Sequence, residues 1–372
     1  MYIDVAKLFC ALNVFILFHL LSAVEWDCAA SNNEGIFTRD SSCTISGNSH
    51  VDVTNTLEIV GSNTNMDNLI AITAATNKRH FYVDNANAKL ILHFVKLIDG
   101  DVSSYSSNPD QYGGSILIYE NGGELNLYSS IVFNNQAKNG GGISAFGASS
   151  ANKNAIMNIY YSIINNNELP ILGKGGGIYM QYAVVTIYDT TIDNNLAYVA
   201  GGMYTKDSDL TMTNTIISNN YGMISGGIFI NELADESTVV ILRQSSFINN
   251  DATNYGDEIH TSGSPTISLI STSFSNPNNN DNIYDSGTPT WKTCSDNLCT
   301  ETPYIGTCNP VDTTDPKLGV DCPGLNWIIC GITYFNNYYL IGGQRNEASC
   351  QLCDKGTFND IQGQSSCKQC DR

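Results

Sequence analysis

The side chains best suited to acid–base chemistry lie together between residues 243 and 260. They are Arg243, Asp251, Asp257, Glu258 and His260. Because alternate residues of a strand project to the same side, the order Asp-Glu-x-His could place Glu258 and His260 on one face. A carboxyl group beside an imidazole could transfer protons during cleavage of a polysaccharide. The stretches before and after carry no comparable group, and no Asp-Asp pair marks a hydrolase site. We therefore interpret the five residues as part of a solvated turn and predict no catalytic residue and no enzymatic activity.

Tyrosines offer a second kind of chemistry, because aromatic rings can stack on sugars. Two interpretations are open: an exposed stripe that binds carbohydrate, or outward-facing strand residues that reflect the high β-propensity of tyrosine. We prefer the second and predict no binding residue. The tyrosines concerned are Tyr160, Tyr161, Tyr179, Tyr182, Tyr188 and Tyr204.

Charge limits the partners of the chain. With 36 acidic and 17 basic residues, the formal charge is −19, which argues against nucleic acid because phosphates need basic groups to neutralise them. It also disfavours anionic membrane surfaces. The acids either keep the protein soluble or bind cations weakly along one face. No EF-hand or Gly-Gly-x-Gly-x-Asp pattern is present, so we predict no metal site and no cofactor. The acids that recur in predicted turns are Asp99, Asp101, Asp189, Asp193, Asp207 and Asp209.

An internal repeat must position all of these side chains. Five segments align without gaps on one template: two apolar residues separated by one position, then Ser or Thr, another apolar residue and Asn-Asn. The alternation predicts a half-buried strand. Asn tolerates the left-handed conformation, and asparagines stacked in successive coils can form a hydrogen-bonded ladder. The pairs are Asn134-Asn135, Asn166-Asn167, Asn194-Asn195, Asn219-Asn220 and Asn249-Asn250; a sixth copy reads Asn276-Pro277, and a worn earlier copy ends in Asp99-Gly100.

Glycine pairs are phased to the asparagines. In three repeats a Gly-Gly pair begins six residues after the last Asn, and in a fourth an insertion delays it by three residues. Gly113-Gly114 opens the series, and Gly256 keeps the six-residue spacing with Asp257 in place of the second glycine. Glycine permits a tight turn where no Cβ fits against the neighbouring coil. The four pairs are Gly141-Gly142, Gly176-Gly177, Gly201-Gly202 and Gly226-Gly227.

This repeat predicts an all-β fold, a right-handed parallel β-helix over residues 24–290. Residues 24–112 form an N-terminal cap and irregular coils, and residues 113–290 form the phased repeats. Strands that recur every 25 to 35 residues without helical patterns between them can stack as turns of a solenoid. At roughly 26 residues per coil we expect about ten coils and a body about 50 Å long. Periodicity alone would also permit a propeller or a sandwich, but a propeller blade needs about 40 residues and four strands.

The paired motifs carry a family resemblance. Phe247-Ile-Asn-Asn250 and Gly226-Gly-Ile228 resemble the repeats of the polymorphic outer-membrane protein family. The resemblance covers roughly residues 85–285. It implies a parallel β-helix of the pectin-lyase-like type and a part in adhesion. Bacterial members end in a membrane-anchoring β-barrel, and the resemblance does not extend to such a region.

Residues 1–23 and the cysteines indicate export. Lys7, the apolar run from Leu8 to Leu21 and the small residues Ser22 and Ala23 resemble a secretory signal peptide. The run is short for a membrane span, although an uncleaved anchor is the alternative. Of the 12 cysteines, Cys10 lies in this segment, Cys28 and Cys43 follow it, and nine lie beyond residue 293. That segregation predicts capping disulfides at both ends of the body.

The tail has a pattern of its own. Residues 291–349 read as a C-terminal cap or linker with cysteines, and residues 350–372 as the start of a small disulfide-rich module. Cys350-x-x-Cys353 followed by Cys367-x-x-Cys370 resembles the cysteine-rich repeats of growth-factor and ephrin receptors. The spacing also approaches that of a zinc ribbon, but behind a signal peptide we favour disulfides. The combination resembles large surface proteins of unicellular eukaryotes.

We therefore expect a secreted or cell-surface structural and adhesion scaffold without catalysis. Its partner would be an unknown extracellular ligand, either a glycan or a protein, and not nucleic acid. The alternative is a carbohydrate-binding or polysaccharide-degrading protein of the pectin-lyase-like fold. Loss of Cys10 with the signal leaves an odd number of cysteines. We accordingly expect the native product to continue past Arg372 or to pair with another chain, and any membrane attachment to lie beyond that residue.

Overall fold

The protein is described from a computed structural model. It describes residues 24–295, except 32, 47–49, 106, 108, 150, 170–171, 234–237 and 276–282, and beyond them 298–302, 338–341, 349–352, 357–358 and 368–369. The predicted signal peptide, the sixth asparagine motif and most of the predicted linker and cysteine-rich module lie outside the described residues. Among the described residues no helix is long and apolar enough to cross a membrane.

Almost all regular structure in the described residues is β-strand. The exception is one 3₁₀ turn, Met66–Asn68. Sheet A has 12 strands: β1 (Val24–Glu25), β2 (Gly35–Arg39), β5 (Thr56–Gly61), β8 (Lys89–His93), β11 (Gly123–Tyr128), β14 (Ala155–Tyr160), β17 (Ala183–Tyr188), β21 (Asp209–Thr213), β25 (Val239–Arg243), β29 (Thr266–Ile270), β32 (Thr290–Ser295) and β33 (Leu298–Thr302).

Two further sheets have nine strands each. Sheet B contains β4 (Val51–Val53), β7 (Phe81–Val83), β10 (Ile116–Ile118), β13 (Ile143–Phe146), β16 (Ile178–Gln181), β20 (Met203–Lys206), β24 (Ile228–Asn231), β28 (Ile259–Ser262) and β31 (Ile283–Asp285). Sheet C contains β3 (Cys43–Thr44), β6 (Ile70–Thr73), β9 (Val95–Ile98), β12 (Ile131–Phe133), β15 (Ile163–Asn165), β18 (Thr191–Asp193), β22 (Ile216–Ser218), β26 (Ser246–Ile248) and β30 (Ser273–Ser275).

Three smaller sheets complete the strand inventory of the described residues. One is a parallel ribbon that follows the asparagine pairs, and two are antiparallel hairpins near the end of the chain. The ribbon contains β19 (Leu196–Ala197), β23 (Tyr221–Gly222) and β27 (Asp251–Ala252); the hairpins join β34 (Tyr338–Ile341) to β35 (Ser349–Leu352) and β36 (Thr357–Phe358) to β37 (Lys368–Gln369).

Each complete coil supplies one strand to each long sheet, and strands of successive coils pair in parallel. Sheet A has three additional strands at its ends, β1, β32 and β33. The parallel pairing of successive coils confirms the predicted all-β parallel β-helix. The half-buried strands predicted from the alternation are also confirmed, because one set of apolar repeat positions pairs in consecutive register and is fully buried. One apolar residue thus stacks on the next along the axis, which removes a continuous apolar column from water. The residues of this column are Leu127, Ile159, Ile187, Met212 and Leu242.

The number of coils is smaller than the ten expected. Nine stacked strands correspond to about eight turns. The assumed coil of roughly 26 residues was too short, because surface insertions lengthen several coils. Stacked positions are 35 residues apart at Asp99 and Asn134 but only 24 apart at Thr261 and Asp285.

The two asparagines of each pair have different structural roles. The first of each pair is exposed and left-handed, with φ between 51° and 57°. The second is buried, and in the first four pairs it donates from Nδ2 to Oδ1 of the next asparagine over 2.8–3.0 Å. Its other Nδ2 hydrogen goes to a carbonyl of the preceding coil. The predicted column is therefore confirmed, and its second residues form the asparagine ladder: Asn135, Asn167, Asn195, Asn220 and Asn250.

The glycine pairs pack against this ladder. A Cβ on Gly202 would lie 2.6 Å from the Gly227 carbonyl oxygen and 3.2 Å from Nδ2 of Asn220. Only glycine fits without a shift of the backbone, which explains why the two motifs keep a constant spacing. The alignment of Gly256 with the first glycine was wrong, because the register pairs Ile228 with Ile259.

Asp257 and Glu258 occupy the places of the glycine pair in that coil. Gly227 donates from its backbone to the Asp257 carbonyl, and Ile228 to that of Glu258. The preceding turn is one residue longer than in the three coils with six-residue spacing, and Gly256 takes the left-handed conformation at φ 59°. Counting from the asparagines alone therefore shifted the alignment by one position.

The two ends of sheet A are finished differently. At the N-terminal end Cys28 and Cys43 form a disulfide, as the cysteine distribution predicted for this end. Trp26 is fully buried there and stacks on Phe81 at 6.1 Å between ring centroids. At the other end β32 is the last parallel strand, and β33 folds back on it antiparallel. The buried indole ring thus covers the core at the first coil, and the disulfide fixes the chain around it.

Candidate functional site

The five residues weighed for acid–base chemistry lie in different parts of one coil. The solvated-turn interpretation was wrong for three of them, because Asp257, Glu258 and His260 are buried. Arg243 follows inward-facing Leu242 and so lies on the outer side of sheet A. Asp251 is exposed in β27, whereas Asp257 is buried and accepts a hydrogen bond from the Ala252 N–H at 2.9 Å.

Glu258 is fully buried at the end of the asparagine ladder. Its carboxyl group accepts hydrogen bonds from the side-chain amide and the backbone N–H of Asn250. In earlier coils the side-chain oxygen of the next asparagine accepts the hydrogen bonds from these two groups. Burial raises the pKa of Glu258 to about 8, and nearby Asp257 acts in the same direction. The residue therefore terminates a structural network.

His260 lies in a different environment, on the outer face of sheet B. Its ring packs on Phe229 at 4.4 Å and on Tyr284 at 4.8 Å. Nε2 lies 3.1 Å from Oγ of Ser286, and burial lowers the pKa of the imidazole to about 4. Glu258 contacts Asn250 while His260 contacts aromatic rings, so their sequence spacing does not produce a shared acid–base site.

The six tyrosines divide between two sheets. On sheet B, Tyr179 stacks on Tyr204 at 5.3 Å and 4° between ring planes, and Tyr204 stacks on Phe229 at 5.4 Å and 16°. Tyr182 meets the edge of Phe146 on the same side. Tyr179 and Tyr204 are only 5% and 2% exposed, because residues from the connecting loops cover them. The covering residues include Tyr112, Val199 and Ala200.

On sheet A the rings also stack along the axis. His93 lies parallel to Tyr128 at 4.7 Å and 7°, and Tyr128 lies parallel to Tyr160 at 5.1 Å and 8°. Parallel stacking along the column occupies the ring faces and leaves their edges toward solvent. Carbohydrate needs a free face to stack on, so these rings favour the strand-packing interpretation over a sugar-binding stripe. Tyr161 and Tyr188 meet edge to face at 5.6 Å.

Beside these rings, the outer face of sheet A carries a polar column. Asn126, Asn158, Thr186 and Thr211 follow one another in register on four consecutive coils. Asn158 donates from Nδ2 to Oδ1 of Asn126 at 3.0 Å, and exposure increases along the column until Thr211 is open to solvent. The neighbouring column contains Tyr128, Tyr160 and Tyr188. The face therefore carries amide and hydroxyl groups at intervals of one coil.

Several acids in the turns accept hydrogen bonds from the coil that follows. Asp99 accepts from Asn134 at 2.7 Å, and Asp193 accepts from both Asn219 and Ser218 at 2.8 Å. Asp189 accepts from Asn214 in the same way. Within the part of the chain that the structure describes, no three His, Cys, Asp or Glu side chains form a group able to hold a metal ion.

One group of titratable side chains spans consecutive coils and was not predicted. His50 Nε2 lies 3.0 Å from Oδ1 of Asp52, and Asp52 pairs in register with Tyr82. The Tyr82 hydroxyl donates to Asp84 at 3.0 Å, and the Arg79 guanidinium lies over the Tyr82 ring at 5.5 Å. The hydrogen bond from His50 lowers the pKa of Asp52, whereas burial lowers that of Arg79 to about 10.

This N-terminal polar group, comprising His50, Asp52, Arg79, Tyr82 and Asp84, could bind a ligand rich in hydroxyl groups. It presents a carboxylate–imidazole pair and a second carboxylate on the outer side of sheet B. The repeat does not extend to these coils, so the sequence alone provided no register between their strands. The sequence signal was the two-residue spacing of His50 with Asp52 and of Tyr82 with Asp84 on adjacent strands.

No family model, no curated protein and no solved structure matches the chain.

Proposed function

We propose that the protein is an extracellular or cell-surface scaffold that presents a β-helical surface for adhesion and carries out no catalysis. The observation that supports this most directly is the polar column Asn126–Asn158–Thr186–Thr211 on the outer face of sheet A. Its amide and hydroxyl groups both donate and accept hydrogen bonds, so they suit a glycan or a protein surface.

Rigidity is the second argument for a scaffold. Each coil pairs with its neighbours through three parallel sheets, and the asparagine ladder ties five coils together inside the body. A surface held this firmly loses little conformational freedom when it binds, which favours association through many weak contacts. The ligand that we propose for this surface is an extracellular glycan or protein.

The proposed cellular context follows from the sequence motifs. Residues 1–23 would direct export as a signal peptide. The phased Asn-Asn and Gly-Gly motifs support repeats of the polymorphic outer-membrane type on a pectin-lyase-like helix. The Cys-x-x-Cys pairs after residue 349 support a growth-factor- or ephrin-receptor-like module.

A carbohydrate-binding or polysaccharide-degrading protein is the second candidate function. The observation that favours it is the N-terminal polar group, which brings His50 and Asp52 together and places Tyr82 of the next coil beside Asp52. A hydrogen-bonded imidazole–carboxylate pair on an accessible strand edge could exchange protons with a bound sugar. Asp52 is exposed, so a ligand could reach it.

A glycan array and an array of extracellular proteins, both probed with the full secreted chain, test the scaffold proposal. Thr186→Lys with Thr211→Lys should abolish any specific binding, because the lysines project from the polar column. Thr191→Lys, on the outer face of sheet C, is the matched control and should leave binding unchanged. Equal loss in both variants, or no binding to either array, would contradict the proposal.

The enzyme alternative is tested separately, by incubating the chain with neutral and acidic polysaccharides and measuring new reducing or unsaturated ends. Turnover that disappears in Asp52→Asn would establish that alternative. Turnover lost in Glu258→Gln but not in Asp52→Asn would instead point back to the group around Glu258.

A further inference from the structure

The last two strands of sheet A bring two cysteines together. β32 continues the parallel stack through pairs such as Thr266 with Thr290, and β33 then runs antiparallel to β32. The register places Cys294 directly opposite Cys299, with Ser295 opposite Leu298. Only Asp296 and Asn297 lie between the strands, so the connection has two residues.

Hairpin geometry fixes the type of pair that the cysteines form. In a two-residue hairpin the residues that flank the turn exchange the ladder hydrogen bonds, and the next pair outward is not hydrogen-bonded. Cα atoms of such pairs are about 4.5 Å apart, at the near end of the roughly 4.4–6.8 Å spanned by disulfides. Because Ser295 and Leu298 flank the turn, Cys294 and Cys299 occupy the non-hydrogen-bonded pair.

We propose that Cys294 and Cys299 form a disulfide across this hairpin. The bond forms by exchange with a donor disulfide, protein-borne or of low molecular weight, in the export compartment. Each thiol loses its proton, one sulfur–sulfur bond forms, and two electrons pass to the donor, which is reduced to two thiols. The step therefore depends on the export proposed above.

The position of the bond gives it a structural purpose. The terminal strand of a sheet exposes unpaired backbone groups that can recruit another strand. At the end of sheet A that strand is β33, which reverses direction and so ends the parallel stack. A covalent link between β32 and β33 holds this closure in place, as Cys28–Cys43 links the first coil at the opposite end.

Disulfide mapping of the full secreted chain tests the proposal. Free thiols are blocked with N-ethylmaleimide under acidic, non-reducing conditions, and the chain is digested with trypsin and a protease that cleaves after Asp and Glu. Cleavage after Lys292, Asp296 and Glu301 separates Cys294, Cys299 and Cys308 into three different peptides. The expected result is a species in which residues 293–296 and 297–301 are joined and separate on reduction.

A pair of variants provides a second measurement. Cys294→Ser should expose one additional thiol per chain, and the maleimide label should appear on Cys299. Cys308→Ser is the matched control and should leave the species that joins 293–296 to 297–301 intact. If Cys294→Ser is not secreted, mapping of the unaltered chain alone decides. Linkage of Cys294 or Cys299 to any other cysteine, or maleimide on both in the unaltered chain, would overturn the proposal.

Discussion

The side-chain amide of Asn250 donates a hydrogen bond to the buried carboxyl group of Glu258, and this contact ends the asparagine ladder. Earlier coils satisfy the same donor with the next asparagine. A carboxyl group in this position accepts the hydrogen bond equally well but can also lose a proton. The ladder therefore has one titratable member, and its stability depends on pH.

Stability should decrease with rising pH because of Glu258. Its folded pKa is raised to about 8 from an ordinary 4.5, so the folded state keeps a proton that the unfolded state releases between these values. The contribution is complete below pH 4.5 and is lost as pH rises toward 8, at roughly 1.4 kcal/mol per pH unit. Denaturant unfolding at several pH values should show this slope, and Glu258→Gln should remove it. Exposed Glu168→Gln is the control; an unchanged slope in Glu258→Gln would contradict the assignment.

Acid should destabilise the protein through its buried imidazoles. Burial lowers the pKa of His80, His93 and His260 to about 4 from an ordinary 6.5. As pH falls, the unfolded state takes up protons before the folded state does. The contribution of the neutral imidazoles to the free energy of unfolding is therefore complete above pH 6.5 and is lost as pH falls toward 4. His93→Phe keeps an aromatic ring in the position that stacks on Tyr128. It removes one of the three imidazoles that take up a proton on unfolding. Unfolding measured from pH 7 to pH 4 should show a shallower loss in this variant. A slope equal to that of the unaltered chain would count against a neutral buried His93.

Interior ladder residues should matter far more than their exposed neighbours. Asn195→Ala removes the acceptor for the backbone and side-chain N–H groups of Asn167 and leaves Asn220 Oδ1 without one donor. Buried unsatisfied donors cost about 1–3 kcal/mol each, so we expect a loss of about 2–5 kcal/mol in the free energy of unfolding. Asn194→Gly, at an exposed left-handed position, should change it by less than about 1 kcal/mol. Similar effects in the two variants would show that the ladder is not a stabilising element.

Exchanging glycine and alanine should have opposite effects on stability at two neighbouring positions, 200 and 202. Gly202→Ala forces a Cβ against the Gly227 carbonyl and should destabilise the protein. Ala200 has φ of 60°, where the equivalent residues Gly140 and Gly175 also have positive φ. Ala200→Gly should therefore stabilise by up to about 1 kcal/mol, or at least cost nothing. Thermal unfolding of both variants tests this, and a lower melting temperature for Ala200→Gly would refute the inferred strain.

The repeat made the body predictable because its signals are local and phased. Leu127 and Ile159 occupy equal positions in their templates, and equal positions must stack when coils pair in parallel. Prediction was weaker where a coil departs from the template. Glu258 was interpreted as a turn residue because its role depends on a donor eight residues earlier, and only the three-dimensional turn brings Asn250 to it.

The N-terminal coils show a second limit. Asp52 and Tyr82 are 30 residues apart and share no motif, yet register places them side by side. Alternation identifies which residues face outward but not which outward residues meet, because that depends on the length of each intervening loop. The coil count failed for the same reason, since insertions change coil length without leaving a periodic signal.

The asparagine ladder also has a direction. One hydrogen of each Nδ2 is donated toward the C-terminal side and each Oδ1 accepts from the N-terminal side. The side-chain amide dipoles are therefore aligned along the ladder, in Asn135, Asn167, Asn195, Asn220 and Asn250. Hydrogen bonds in such a chain polarise one another, so each link strengthens its neighbours. The positive end of this row meets the carboxyl group of Glu258, and its negative end meets the N–H of Gly100 at 2.8 Å. The solenoid thus contains an electrically polar row of amides along its axis, comparable in origin to the macrodipole of a helix but with the positive end on the C-terminal side. A break at its centre would interrupt that polarisation on both sides, whereas a break at either end would shorten the row by one member.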